Sequence, residues 1–248
     1  MRPFLAAANW KMNKTPEEAV AFFREFKPLV TNSNHRQVAI FPPMLLLTTV
    51  REQLNDGSFL WGAQNCHFEK QGAFTGETSP AVLARLGAHF ALVGHSERRT
   101  LFGENDELCA KKVKAIQAEG MTPMLCVGET LAQRESGTTA DVIKSQLAKG
   151  LAQADLDGPL VIAYEPVWAI GTGKVATPDQ AEEAHRILRA QLNDLGGARL
   201  GSRVQILYGG SVTAQNAREL SMLPNVDGFL VGGASLNPQS FAAIANVK

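Results

Sequence analysis

The sequence has little of what marks several functional classes. Its 248 residues hold three cysteines, Cys66, Cys109 and Cys126, an odd number at wide spacing. That speaks against a disulfide framework and for a reducing compartment. No Cys/His cluster has the spacing of zinc ligands. His67 adjoins Cys66, but neighbours on a strand face opposite ways. Neither sign of charge is in excess, since Lys+Arg and Asp+Glu both number 24. A balanced chain carries no electrostatic footprint for nucleic acid or an anionic membrane, so an anionic ligand has to be held by local groups. No apolar run approaches the ~20 residues that span a bilayer. The stretch Phe4–Ala8 behind Arg2 is too short for the core of a secretion signal and reads better as a first strand. A soluble, cytoplasmic protein is expected, in which the sequon Asn13-Lys14-Thr15 has no use. No Pro/Ser-rich linker or low-complexity tract divides the chain, so a single domain over residues 1–248 is expected.

What the chain does have is a core and a rhythm. Hydrophobic residues make up 45% of it, enough for a substantial interior. Short apolar runs predict strands at Phe4–Asn9, Gln37–Phe41, Phe59–Gln64, His89–Val93, Met121–Val127, Leu160–Tyr164, Val204–Tyr208 and Gly228–Val231. They lack polar/apolar alternation, as strands buried on both faces of a parallel sheet do. Helical patterns lie between them. Thr15-Pro16-Glu17-Glu18 is a capping box with proline at the first helical position. Ala19, Phe22, Phe23, Phe26 and Val30 follow as one apolar stripe. A cap followed by proline returns at Ser79-Pro80, Thr177-Pro178 and Asn237-Pro238, and Ala184, Ile187, Leu188, Leu192 and Leu195 form a second stripe. Strand, loop and capped helix, eight times in about 250 residues, predict an α/β protein built as a closed (β/α)8 barrel. An open doubly wound sheet is the alternative, but it more often carries a glycine fingerprint after its first strand. Here that strand runs into Asn9-Trp10-Lys11-Met12-Asn13.

Barrel chemistry sits at the C-terminal ends of the strands, and polar residues collect there. Asn9 and Lys11 end the first strand, Gln64 and Asn65 the third. Gly94-His95-Ser96-Glu97 follows the fourth, Cys126 ends the fifth with Glu129 close behind, and Glu165 ends the sixth. Gly209-Gly210-Ser211 and Gly232-Gly233 follow the last two. The most telling segment is AYEPVWAIGTG, Ala163–Gly173. Pro166 stiffens the chain just past the Glu165 carboxylate, and Gly171 and Gly173 can absorb large backbone changes. The segment fits a general base beneath a lid; taken alone, it equally fits an ordinary connection with a solvated glutamate. The glycine pairs fit a phosphate cradle, where backbone N–H groups approach an anion closely, although tight turns use such pairs too. Gly171-Thr172-Gly173-Lys174 lacks the upstream glycine and the following Ser/Thr of a nucleotide-binding loop. Lys11 is either a snorkelling surface lysine or a cation that offsets substrate charge. His95, near a helix start, is either a core histidine or an imidazole kept neutral by the positive dipole end. Cys126 has no neighbouring cation and reads as a packed thiol. Together a Glu base, a neutral donor, a cation, a phosphate cradle and a lid suit proton abstraction beside a carbonyl. The substrate class is a small phosphorylated molecule, and the intermediate an enediol(ate).

The segments NWKMN (Asn9–Asn13), GAFTGE (Gly72–Glu77), VGHSERR (Val93–Arg99), LCVGE (Leu125–Glu129), AYEPVWAIGTGK (Ala163–Lys174), YGGSV (Tyr208–Val212) and VGGASL (Val231–Leu236) run in order over nearly the whole chain. In them the sequence resembles the triosephosphate isomerase family. The resemblance implies a TIM barrel that interconverts dihydroxyacetone phosphate and glyceraldehyde 3-phosphate in glycolysis and gluconeogenesis. It implies no cofactor, no metal and a homodimer. It also implies roles. Glu165 shuttles the proton between two substrate carbons, and His95 polarises the carbonyl and moves protons between the oxygens. Lys11 stabilises negative charge, and Asn9 helps hold Lys11 and the substrate. Gly171, Ser211, Gly232 and Gly233 bind phosphate through backbone N–H groups. The loop from Pro166 to Ala176 closes over the substrate, latched by Tyr208 and Ser211. Glu97 pairs with Lys11, Ser96 and Cys126 support the site, and Thr75 reaches toward Asn9 and Lys11 of the partner subunit. A different phosphate-binding barrel, a synthase or epimerase, would need further acid/base groups or a metal. A non-catalytic relative would have lost Glu165, His95 or Lys11, and all three are present.

Overall fold

In the computed structural model, which describes residues 2–31, 33, 35–170 and 175–247, the apolar runs become eight parallel strands. They are β1 Phe4–Asn9, β2 Arg36–Phe41, β3 Leu60–Ala63, β4 Phe90–Val93, β5 Thr122–Val127, β6 Val161–Tyr164, β7 Gln205–Tyr208 and β8 Gly228–Val231. Each begins and ends within one residue of its sequence-based position. They pair in sequence order, and β8 closes on β1 with Leu5 opposite Gly228 and Ala8 opposite Val231. The sheet is therefore a closed barrel with no free edge, and the open-sheet alternative falls.

Alternating residues divide the interior into two cores. Leu5, Ala7, Phe41, Leu92, Met124 and Leu207 are among those that fill the barrel itself. The residues between them point outward against the helices, so strands apolar on both faces are what this position demands. The helices are α1 Pro16–Phe26, α2 Leu47–Gln53, α3 Pro80–Arg85, α4 Ser96–Phe102, α5 Asp106–Ala118, α6 Leu131–Glu135, α7 Thr139–Gly150, α8 Pro178–Arg203, α9 Ala217–Ser221 and α10 Pro238–Ala245. In α1 the capping box forms as expected, and Ala19, Phe22, Phe23 and Phe26 are buried. Side-chain caps also form at Ser79, Thr177 and Asn237.

The repeat is less uniform than its sequence rhythm. The fourth and fifth units carry two helices each, and α2, α7 and α9 start without a side-chain cap. The backbone of α8 breaks at Gly196 and Gly197, where Gly197 turns to φ +73°, a conformation that glycine adopts at no steric cost. The extra helix α4 has a consequence for the site, because His95 serves as its N-cap. Among the described residues no helix is long and apolar enough to cross a membrane.

Candidate active site

The barrel brings together at its C-terminal rim side chains that lie far apart in sequence. Asn9 is buried at the end of β1 and its Oδ1 accepts the Lys11 backbone N–H at 3.1 Å. Lys11 itself has φ +52°, an uncommon conformation for a side-chain-bearing residue. It is held there from both sides. The Gln64 amide donates to the Lys11 carbonyl oxygen at 2.8 Å and to that of Phe41 at 2.9 Å, while Lys11 Nζ donates to Glu97 Oε1 at 2.5 Å. The ammonium is thus brought to the rim with its charge fixed by the first residues of α4.

His95 and Glu165 meet directly. His95 Nε2 lies 3.0 Å from Glu165 Oε1, and the Ser96 backbone N–H donates to Glu165 Oε2 at 2.8 Å. Both side chains are buried, with 6% and 2% of their surfaces exposed. Burial alone would lift the Glu165 carboxyl, but His95, the Ser96 N–H and Lys11 hold it below the ordinary carboxylate value. Burial likewise pushes His95 down, and the adjacent Glu165 carboxylate outweighs it and raises the imidazole. The other ring nitrogen fixes the tautomer. His95 Nδ1 accepts the Glu97 backbone N–H at 3.2 Å, so the ring proton sits on Nε2 and points at the carboxylate. In this arrangement the imidazole donates from Nε2.

A cavity of about 280 Å³ opens beside the pair. Asn9, Lys11, His95 and Glu165 form one side of it, and Gly209, Gly210, Ser211, Gly232 and Gly233 the other. A second hollow, about 330 Å³, shares Asn9, Lys11 and His95 but leads away toward Met44, Gly76 and Phe102 and does not include Glu165. The first brings Glu165, His95, Lys11 and the glycine loops together.

Other expected residues fall into place with different weight. Cys126 is fully buried inside the barrel, and burial raises its thiol far above the ordinary value, which leaves it a packing residue. Burial also pushes the Tyr208 phenol up to about 12, against a backbone contact from Ala176. Its hydroxyl makes no hydrogen bond of ordinary geometry among the described residues. Thr75 stands exposed on the loop between β3 and α3, away from Glu165. Gly171 lies outside the described residues.

Three structural roles escaped the sequence. Glu129 is a fully buried hub beneath the start of the segment after β6. It accepts from the Tyr164 hydroxyl at 3.0 Å and from Trp168 Nε1 at 2.9 Å, and pairs with Arg134 at 3.3 Å. Gly128 passes so close to β6 that a Cβ there would lie 1.7 Å from the Glu165 carbonyl oxygen. Glu104, buried behind His95, accepts from the Gly94 N–H, Arg98 and Lys112 at 2.6–2.8 Å. A carboxylate that follows a strand is the only sequence signal for the hub, and its partners lie 35 and 39 residues away.

With this geometry in hand, comparison with known proteins gives a consistent answer. The family model described as triosephosphate isomerase matches residues 4–248. The chain belongs to the triosephosphate isomerase family. A triosephosphate isomerase of Carboxydothermus hydrogenoformans is 51% identical over 245 residues, 98% of this chain and 97% of the relative. One from Bdellovibrio bacteriovorus is 52% identical over 241 residues, covering 97% of this chain and 98% of its own. One from Synechocystis is 48% identical over 249 residues and the whole of both chains.

Proposed function

We propose that this protein interconverts dihydroxyacetone phosphate and D-glyceraldehyde 3-phosphate through an enediol(ate), a step of glycolysis and gluconeogenesis. One observation carries the mechanism. A buried, ionised carboxylate and an imidazole that donates from Nε2 stand 3.0 Å apart on the wall of a cavity lined by Lys11 and two glycine loops. A planar substrate seated between them replaces their mutual hydrogen bond with two useful ones. Glu165 takes the proton from the carbon beside the carbonyl, while His95 Nε2–H donates to the carbonyl oxygen as charge develops on it. His95 then moves a proton between the two oxygens, and Glu165 returns its proton to the neighbouring carbon. No atom is gained or lost.

The remaining assignments are those that the family resemblance implies. Lys11 and Asn9 hold substrate charge at the rim, with Glu97 and Ser96 in support. Ser211, Gly232, Gly233 and Gly171 bind the phosphate through backbone N–H groups. The segment from Pro166 to Ala176 closes over the substrate, with Tyr208 and Ser211 as its latch. Lids of this kind, this family's own among them, shield the intermediate from water. The protein works in the cytoplasm as a homodimer, with Thr75 in the contact. Met12 and Leu45, 95% and 91% exposed, and Phe74 on the Thr75 loop supply the apolar surface that such a contact needs.

The test is a coupled assay for dihydroxyacetone phosphate made from glyceraldehyde 3-phosphate. Wild-type protein turns over rapidly, and Glu165→Gln loses most of kcat while keeping affinity for phosphorylated inhibitors. A folded wild-type protein without turnover would overturn the proposal.

A further inference from the structure

Tyr164 and Tyr208 are the last residues of β6 and β7. They stand immediately before the base Glu165 and before the loop Gly209–Ser211. Both side chains leave the barrel on its outer side and join the core between sheet and helices. A third ring meets them there. His185, on α8, is fully buried and stands edge-on to Tyr164, with centroids 5.8 Å apart and planes at 87°. It lies tilted against Tyr208 at 6.2 Å, and the two tyrosines are 6.4 Å from each other.

The imidazole is itself anchored. His185 Nδ1 is 3.1 Å from the carbonyl oxygen of Asn225. Asn225 is gripped in turn by Glu182, which accepts from its side-chain amide at 2.6 Å and its backbone N–H at 3.2 Å. Residues three apart on a helix share a face, so Glu182 and His185 hold Asn225 together. Burial pushes the His185 pKa down to about 4, and the ring acts by shape rather than by charge.

What the brace holds is the spacing of two strand ends. The Gly209 N–H donates to the Tyr164 carbonyl oxygen at 2.7 Å. The Tyr208 hydroxyl lies against Gly210, where a Cβ would come within 2.2 Å of it. We propose that His185 is a positioning residue for the isomerisation: packed against both Tyr164 and Tyr208 as the third ring of a triangle, its ring sets the separation between the Glu165 carboxylate and the phosphate-binding loop Gly209–Ser211. This rests on the function proposed above. The phosphate anchors one end of a small substrate and the base must meet the other, so this separation governs the near-attack geometry on which turnover depends. Binding of phosphate alone does not sense it.

The test compares two full-length variants. His185→Asn keeps a donor toward Asn225 and removes the ring, whereas His185→Phe keeps a ring and removes the donor. Per folded molecule, kcat of His185→Asn falls about tenfold. KM and inhibition by inorganic phosphate stay within about twofold, and His185→Phe recovers most of kcat. By hydrogen exchange the Gly209 amide opens faster in His185→Asn but not in His185→Phe. A purely structural role would lower the melting temperature in both variants yet leave kcat and the Gly209 amide at wild-type values below it, and that result overturns the proposal. A wild type that isomerises nothing would sink the proposed function instead, and Gly209 exchange would still decide whether His185 braces the two strand ends.

Discussion

Gly128→Ala adds one carbon against the backbone of Glu165 and touches no part of the cavity. The new Cβ would lie 1.7 Å from the Glu165 carbonyl oxygen, where real Cβ contacts essentially never fall under 3.0 Å. About 1.3 Å must be made up. Gly128 is poorly placed to supply it, because the Gln146 amide clamps it through a bond to its N–H at 2.8 Å and one to its carbonyl oxygen at 3.1 Å. The strain therefore moves the end of β6 and the carboxylate it carries. A misplacement of about 1 Å costs on the order of 10²-fold in rate, or about 2.7 kcal/mol of transition-state stabilisation. Gly128 does not have a positive φ, so alanine itself adds no backbone strain. Turnover of glyceraldehyde 3-phosphate should fall on the order of 100-fold in kcat, with inorganic phosphate inhibiting as in wild type. A folded Gly128→Ala protein with kcat within threefold of wild type would refute the reasoning.

Three further outcomes follow from the same geometry. Lys11→Met removes the cation and leaves the Glu97 carboxylate unpaired at the rim, and phosphorylated ligands should bind on the order of tenfold more weakly, as an inhibition constant for inorganic phosphate would show. Glu104→Ala strands the buried Lys112 ammonium, a change worth about 3 kcal/mol, visible as a melting temperature lower by roughly 6–12 °C. His185 has a folded-state pKa near 4 against an ordinary 6.5, so between these values the unfolded chain binds the extra proton and stability falls as pH falls. Its share of the loss is roughly 3 kcal/mol by pH 4, and the acid limb of the melting temperature should be correspondingly shallower in His185→Phe.

The strands and the identity of the rim were legible because their signals are local. A fully buried parallel strand is a short apolar run, and a rim residue is whatever polar group ends it. Glu165, His95 and Lys11 could be placed on the rim for that reason alone. Their mutual geometry could not, because the contact between His95 and Glu165 spans 70 residues and depends on barrel closure. Glu129 looked like one more polar residue after a strand, since the Tyr164 and Trp168 groups that make it a hub belong to the next unit. His185 was hidden inside an apolar stripe, where a histidine interrupts the pattern by only one position. The doubled helices after β4 and β5 were missed because short helices such as α4 and α6 carry too few residues to show a period.

The central claim is that Glu165 carries a proton from one substrate carbon to its neighbour. Its most direct test is conversion of glyceraldehyde 3-phosphate in D2O, with the product read by NMR and wild type run beside Glu165→Gln. The account predicts dihydroxyacetone phosphate with solvent deuterium on the newly protonated hydroxymethyl carbon of part of the product, and little product of any kind from the variant. Product free of deuterium, together with an active Glu165→Gln protein, would contradict it.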